Sequence, residues 1–409
     1  MLSIRRIVED IECLSRFGSG NGGGLTRMSF TPEEAEARNY IINSMKQAGL
    51  KVYEHPAGCV VGRLPGSDPE APGVITGSHY DTVRNAGPLD GTLGVICAIE
   101  AIRSMREDGF VPLRGLDVVA FTEEEGTRFG YGMMSSAAFF GLLGYEKLFG
   151  LKDKNGICAA DAMRKAGFSP ERIDTEKIRR NKAKCFIELH IEQGPLLRDK
   201  KCDVGIVSRI AAMNDAEIVV TGTPGHAGTV PMPVRIDAMR GAAGLIEKIY
   251  RIAEEAGTDA VATVGRISAY PGSTNVIPDS VKFSLDYRCG ENEKAQLLRG
   301  KIVNAMDELN KQGFGCVIQR ETHDPAVNMD SGLMSVIGEA ADELGLSCME
   351  IVSGAGHDTV SAAQRIPSCM VFVPNTSGVS HCPDEATDIR DIEKCARVLE
   401  LTLKKLCSS

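Results

Sequence analysis

The chain lacks an uncharged apolar run of ~18 residues, so nothing in it reads as a membrane-spanning helix. It also lacks blocks of like charge. A net charge of -9 is spread over interspersed acidic and basic residues, which argues against a nucleic-acid surface and implies no partner by charge. Among thirteen cysteines there is no CxxC pair. Their odd number and their places in apolar segments, as at Cys97, Cys185 and Cys369, make most of them small buried hydrophobes rather than a disulfide framework. The opening residues Met1-Leu2-Ser3-Ile4-Arg5-Arg6 lead into acidic Glu9, Asp10 and Glu12 without an apolar signal core, so a cytoplasmic protein is expected. Gly18 to Gly24 follows no strand and lacks the Gly-Lys-Ser/Thr of a phosphate loop; it reads as a flexible loop, and nucleotide chemistry is disfavoured. There is no repeat and no low-complexity tract.

What is present is ordinary globular material in ample supply. At 409 residues, 43% hydrophobic and 25% charged, the chain can fill two cores, and two domains are expected. Apolar periodicity predicts helices over 4–17, from Thr31-Pro32 to about Gly49, and over 94–106. Short strands are expected at Lys51-Val52-Tyr53 and Val60 to Arg63. More deeply buried ones are expected over 73–78, 116–121, 185–190 and 368–374. Strands alternating with helices imply an open α/β sheet, whose ligands bind outside the carboxyl ends of the strands.

From about Ile210 to Asp324 the pattern changes to strand (217–221), helix (234–256), strands (260–267 and 280–287), helix (295–311) and strand (316–320), a βαββαβ unit. Its strand Val281 to Arg288 alternates cleanly, which puts Arg288 on a polar face, where a guanidinium can clamp a carboxylate bidentately. The α/β pattern resumes over 335–344.

His79 ends one buried strand, Glu123-Glu124-Glu125 follows another, His190 ends a third, and His381 lies in the loop after the last. Asp90 precedes a helix, and Asp81 lies close enough to orient the His79 imidazole. His79, Asp90, Glu125, His190 and His381 are therefore candidate metal ligands. If Asp90 bridges two ions, each ion gains three ligands and a position stays open for water, as in a hydrolytic site. The adjacent side chains of Glu124 and Glu125 diverge, so one can bind metal while the other takes a proton from the water. His55 and His323 have no such setting and read as structural.

Six stretches carry a family resemblance: Gly77-Ser78-His79-Tyr80-Asp81-Thr82-Val83, Leu89-Asp90-Gly91, Phe121 to Phe129, Glu188-Leu189-His190-Ile191-Glu192-Gln193-Gly194-Pro195, His226-Ala227-Gly228-Thr229-Val230-Pro231-Met232, and Ser380-His381-Cys382-Pro383. Together, in order and over nearly the whole chain, they resemble the hydantoinase/carbamoylase branch of the M20 metallopeptidase family. The resemblance implies a mixed-sheet, zinc-exopeptidase-like catalytic domain over 1–209 and 325–409, with a ferredoxin-like α+β lid and dimerisation domain inserted over 210–324. It implies one divalent ion on His79, Asp90 and His190 and another on Asp90, Glu125 and His381, with Glu124 as general base. Zinc is the first expectation, with manganese, cobalt or nickel alternatives.

The same resemblance implies that His226 supports the oxyanion in the other subunit of a homodimer, and that Gln193, Asn275, Arg288, Gly356 and His357 contact substrate. The expected substrate is a small ureido carboxylate, first an N-carbamoyl-L-amino acid. The alternatives are allantoate, ureidoglycolate and, further off, a dipeptide. Two positions depart from the pattern: Cys59 stands where relatives often have Asn, and Met213-Asn214-Asp215 where allantoate-type members often carry basic residues.

Overall fold

The structure, a computed structural model, describes residues 1–20, 22–176 and 182–408; Asn21, within the Gly18 to Gly24 loop, lies outside the described residues. The chain divides into two compact units. The first comprises Met1–Ser208, Met329–Ile351 and His357–Ser409, and the second Arg209–Asn328 with Val352–Gly356.

The first unit is built on a mixed sheet. Its strands follow the order Lys51–His55, Cys59–Leu64, Leu116–Phe121, Gly73–His79, Ala183–Ile191, Ser368–Val373 and Val204–Ile210. The four central strands, Leu116–Phe121, Gly73–His79, Ala183–Ile191 and Ser368–Val373, are parallel, with His79 opposite Phe121 and His190 opposite Phe372. Their carboxyl ends thus share one edge of the sheet. The flanking strands are antiparallel.

All seven residues of Gly73–His79 and all six of Leu116–Phe121 are buried, because helices cover both faces. One face receives the helix Thr92–Glu107, with Ile389–Ser408 packed against it. The other carries an aromatic cluster in which Phe186 lies 6.3 Å from Phe121 and 5.9 Å from Phe140, ring centre to ring centre.

The second unit holds an antiparallel sheet in the order Ile267–Tyr270, Ser280–Cys289, Ala212–Thr221 and Gly315–Asp324, with Ala260–Thr263 also paired to Ser280–Cys289. Strict alternation along Ser280–Cys289 buries Val281, Phe283, Leu285, Tyr287 and Cys289 among the helices Ala238–Ala256 and Asn292–Asn310. Arg288 therefore falls on the half-exposed polar face, as its period-2 position predicts.

Several expected boundaries move. The first helix ends at Leu14 rather than at residue 17, and the helix expected from Gly94 begins at Thr92. The helix expected from Val234 begins at Ala238, because Asp237 caps it by accepting from the Met239 and Arg240 amides, and Met232–Val234 forms a separate 3-10 turn. The segment where the α/β pattern resumes is the helix Ser331–Glu343, which starts where Asp330 accepts from the Leu333 amide. The single strand expected over 260–267 is two strands, interrupted where the Arg266 amide donates to Ser284 Oγ.

All thirteen cysteines are unpaired, and nine of them are buried. No helix among the described residues is long and apolar enough to cross a membrane. Phe186→Ala removes a fully buried ring of the aromatic cluster and is expected to lower the unfolding free energy by about 3–5 kcal/mol in urea titration, with a loss below about 1 kcal/mol contradicting this packing.

Candidate metal centre

The shared sheet edge carries the chemistry because each central parallel strand ends there in a loop. Gly73–His79 delivers His79 directly, Leu116–Phe121 leads to Glu124 and Glu125, Ala183–Ile191 presents His190, and the loop after Ser368–Val373 carries His381. Asp90 enters from the loop before Thr92–Glu107 and is buried.

Asp90 is the centre of the arrangement. Its Oδ1 lies 3.4 Å from His79 Nε2 and 3.1 Å from His190 Nε2, and its Oδ2 lies 3.1 Å from His381 Nε2. Glu125 Oε1 is 3.3 Å from His381 Nε2, and Glu124 Oε2 is 3.8 Å from His79 Nε2. The two glutamates thus diverge toward different histidines. Two ligand groups result, His79–Asp90–His190 and Asp90–Glu125–His381, each with its ligand atoms within 4.8 Å of one another.

The ring orientations suit metal binding. His79 Nδ1 lies 3.1 Å from the Asp81 carbonyl and His190 Nδ1 lies 2.9 Å from the Ile191 carbonyl, so both rings turn Nε2 inward. The Gly91 amide donates to His190 Nε2 at 3.1 Å, a contact that needs a lone pair on that nitrogen. Asp81 does more than orient His79, whose Nδ1 is 3.6 Å from its Oδ1: its two oxygens accept the Glu124 and Glu125 amides at 3.2 and 3.4 Å. Gly91 has φ +60, and a Cβ there would stand 2.4 Å from the His79 ring, so the position requires glycine.

Electrostatics test the fit of this donor set to a cation. Burial, joined by Glu125, Asp358 and Asp81, pushes the Glu124 carboxyl well above its usual range. Burial and then Asp90 push Glu125 up to about 7. Burial opposes charge on His79, yet Glu124, Asp81 and Asp90 together hold it well above an ordinary imidazole. The hydrogen bond to Asp90 lifts His381 to about 8. Glu125 Oε1 is buried and has no hydrogen-bond partner among the described residues. Carboxylates this crowded need positive charge, and neutral imidazole with carboxylate is the donor chemistry of borderline divalent ions, so the residues fit such ions.

The other expected site residues fall into two groups. In the first unit, Gln193, at φ +60, donates to Asp90 Oδ2 at 2.8 Å and lies 3.5 Å from His381. His357 is buried with its ring 4.6 Å from that of His190, and burial holds it well below an ordinary imidazole.

In the second unit, His226 and Asn275 are neighbours. Val276 pairs with His226, and the Ala227 amide donates to the Asn275 carbonyl. Arg288 is held by Asp286 through Nε at 2.9 Å and Nη2 at 2.7 Å, and donates through Nη1 to the Gly354 carbonyl, two residues before Gly356. Asp215 faces Asp286 in register on the adjacent strand, and Asn214 is buried against Tyr287 and His323.

Glu385 escaped the sequence reading. Its buried Oε1 accepts the Leu89 and Asp90 amides at 2.8 and 3.0 Å, and Ser380 Oγ lies 2.6 Å from its Oε2 and 2.9 Å from Asp90 Oδ2, bridging the two carboxyl groups with its single hydroxyl. The one available signal was an acidic residue four positions after His381 in a loop already assigned to the site.

Residues 75–405 match the family described as Peptidase family M20/M25/M40, and the chain belongs to it. The chain is 38% identical to the N-carbamoyl-L-amino-acid amidohydrolase of Paenarthrobacter aurescens over 98% of its length and 97% of that protein. It is 34% identical to the allantoate amidohydrolase of Bacillus subtilis, over 99% of this chain and 98% of the relative. A crystal structure of a hydantoinase/carbamoylase family amidase from Burkholderia multivorans superposes with a TM-score of 0.92 at 30% identity, covering 100% of this chain and 98% of the other. The resemblance read from the motifs therefore holds along the whole chain.

Glu385→Ala removes the acceptor of the Asp90 and Leu89 amides and is expected to weaken divalent-ion binding about 10–100-fold, measured by chelator competition. An unchanged affinity would show that Asp90 is held without it.

Proposed function

We propose that the chain is a metal-dependent amidohydrolase that cleaves the ureido or carbamoyl C–N bond of a small carboxylate, first an N-carbamoyl-L-amino acid. The observation that carries this reading is the pair of ligand groups sharing Asp90, with Glu124 beside them. The full-length similarity to an N-carbamoyl-L-amino-acid amidohydrolase supports that substrate class. Similarity of the same extent to an allantoate amidohydrolase keeps allantoate, with ureidoglycolate, as the second reading.

Two divalent ions, zinc first, would be held by His79, Asp90 and His190 and by Asp90, Glu125 and His381, and would supply Lewis-acid polarisation of the carbonyl and a more acidic water. Glu124, whose Oε2 lies 3.8 Å from His79 Nε2 beside the two ligand groups, removes the proton of the attacking water and delivers it to the departing nitrogen. Gln193 and Ser380 steady Asp90. Cleavage of the bond to the amino acid nitrogen releases the amino acid and carbamate, which decomposes to ammonia and carbon dioxide.

Arg288 receives the substrate carboxylate. Of the five N–H donors of a guanidinium, its contacts with Asp286 and Gly354 engage three, leaving two for a bidentate partner. Asn275, Gly356 and His357 complete the substrate contacts in this reading. The second unit acts as lid and pairing surface of a homodimer, with His226 serving the oxyanion at the site of a second copy. The thirteen unpaired cysteines suit a reducing cytoplasmic compartment.

The test is metal-reconstituted protein offered N-carbamoyl-L-amino acids, allantoate and ureidoglycolate, with ammonia as the readout. Turnover of the first set, lost with chelator and restored by zinc, manganese, cobalt or nickel, is expected; turnover of allantoate alone would select the second reading, and holo-protein inert on all three would overturn both. Glu124→Gln is expected to keep its metal and lose about 10²–10⁴-fold in kcat, while near-normal turnover would remove Glu124 from the proton path.

A further inference from the structure

We propose that Arg27 is a positioning residue of the metal centre: its guanidinium ties together the two loops that carry His79, Asp81 and Asp90. The proposal rests on the reading of those residues as metal-site groups. Arg27 is fully buried, and its guanidinium hydrogen bonds go to neutral oxygens. Nε donates at 2.6 Å to the carbonyl of Tyr80, the residue between His79 and Asp81. Nη2 donates at 2.9 Å to Oγ1 of Thr92, two residues after Asp90 and the first residue of the helix that follows it. Nη1 anchors the fork to the Leu14 and Phe17 carbonyls at 2.8 and 3.3 Å.

The backbone around Arg27 repeats the contact. Its amide donates to Thr82 Oγ1, its carbonyl accepts the Thr82 amide at 3.0 Å, and Leu25 and Ala86 exchange both backbone bonds. The same segment reaches the third ligand loop. The Ser29 and Phe30 carbonyls accept Arg128 Nη1 at 2.6 and 2.9 Å, and Ser29 Oγ accepts Thr122 Oγ1, so residues 25–30 touch the stretches on either side of Glu124 and Glu125.

A buried guanidinium is costly and is retained only where its fork is satisfied. Here a planar, multi-donor group joins two separate loops at one and two residues from their ligands, which neither a lysine ammonium nor an apolar side chain can do. Fixing those loops before an ion arrives is the work expected of the groups that surround a ligand set.

The test uses the full chain, the variants Arg27→Met, Thr92→Val and Thr92→Ser, Zn²⁺ affinity by chelator competition, and hydrogen exchange of residues 79–92 in metal-free protein. Thr92→Val keeps the shape and removes the acceptor, and it carries the test if Arg27→Met fails to fold. Thr92→Val and Arg27→Met are expected to weaken Zn²⁺ binding about 10–100-fold and to speed exchange selectively over 79–92, with Thr92→Ser restoring both. Wild-type affinity and exchange in Thr92→Val would overturn the proposal. Faster exchange spread evenly over the first unit with affinity unchanged would also overturn it, since that is the mark of lost packing alone. If the unaltered chain binds no Zn²⁺, the metal-site reading fails, and the exchange of 79–92 still decides whether Arg27 braces these loops.

Discussion

Asp90 presents both carboxylate oxygens to imidazoles while almost wholly buried, and Asp81, Glu124 and Glu125 stand around the same few ångströms. Negative charge this concentrated in a water-poor pocket must be neutralised from within. Neighbouring carboxylates push His79 and His381 up, and the histidines around Asp90 pull it well below its usual range against its burial. A divalent ion on each ligand group would supply positive charge directly. The surrounding structure is organised to keep the ligands in place while this debt stands: four parallel strands set the spacing, Gly91 admits the His79 ring, and Glu385, Gln193 and Ser380 restrain Asp90 from three sides.

The parts legible in the sequence were those with a one-dimensional signature. Strands buried on both faces read as continuous apolar runs, so 73–78, 116–121, 185–190 and 368–374 were recognisable, and parallel packing then puts the residues at their carboxyl ends together. The alternation around Arg288 was equally plain, since a sheet with helices on one face leaves a period of two. Asp90 was placed by the helix after it, although that helix begins two residues earlier than its apolar periodicity because Gly91 supplies the turn.

Other features have no local mark. Glu385 meets Asp90 across 295 residues of chain, and an acid in a loop ordinarily faces water. Arg27 is hidden for the same reason: arginine is among the residues least expected at full burial, and its meaning comes from carbonyls at residues 14, 17 and 80 that no spacing rule connects to it. The helix expected at Val234 begins four residues later because a side-chain cap at Asp237 outweighs the apolar residues before it. Local chemistry sets such boundaries, and long-range contact sets the support of the site.

The central claim is that Asp90 joins two ions into one centre. The most direct measurement is the number of divalent ions retained per chain, by native mass spectrometry, in the unaltered protein and in Asp90→Asn. The account predicts two ions per chain and the loss of both in the variant, since each ligand group depends on that one carboxylate. A single ion in the unaltered chain, or a variant that retains one at full affinity, would contradict it.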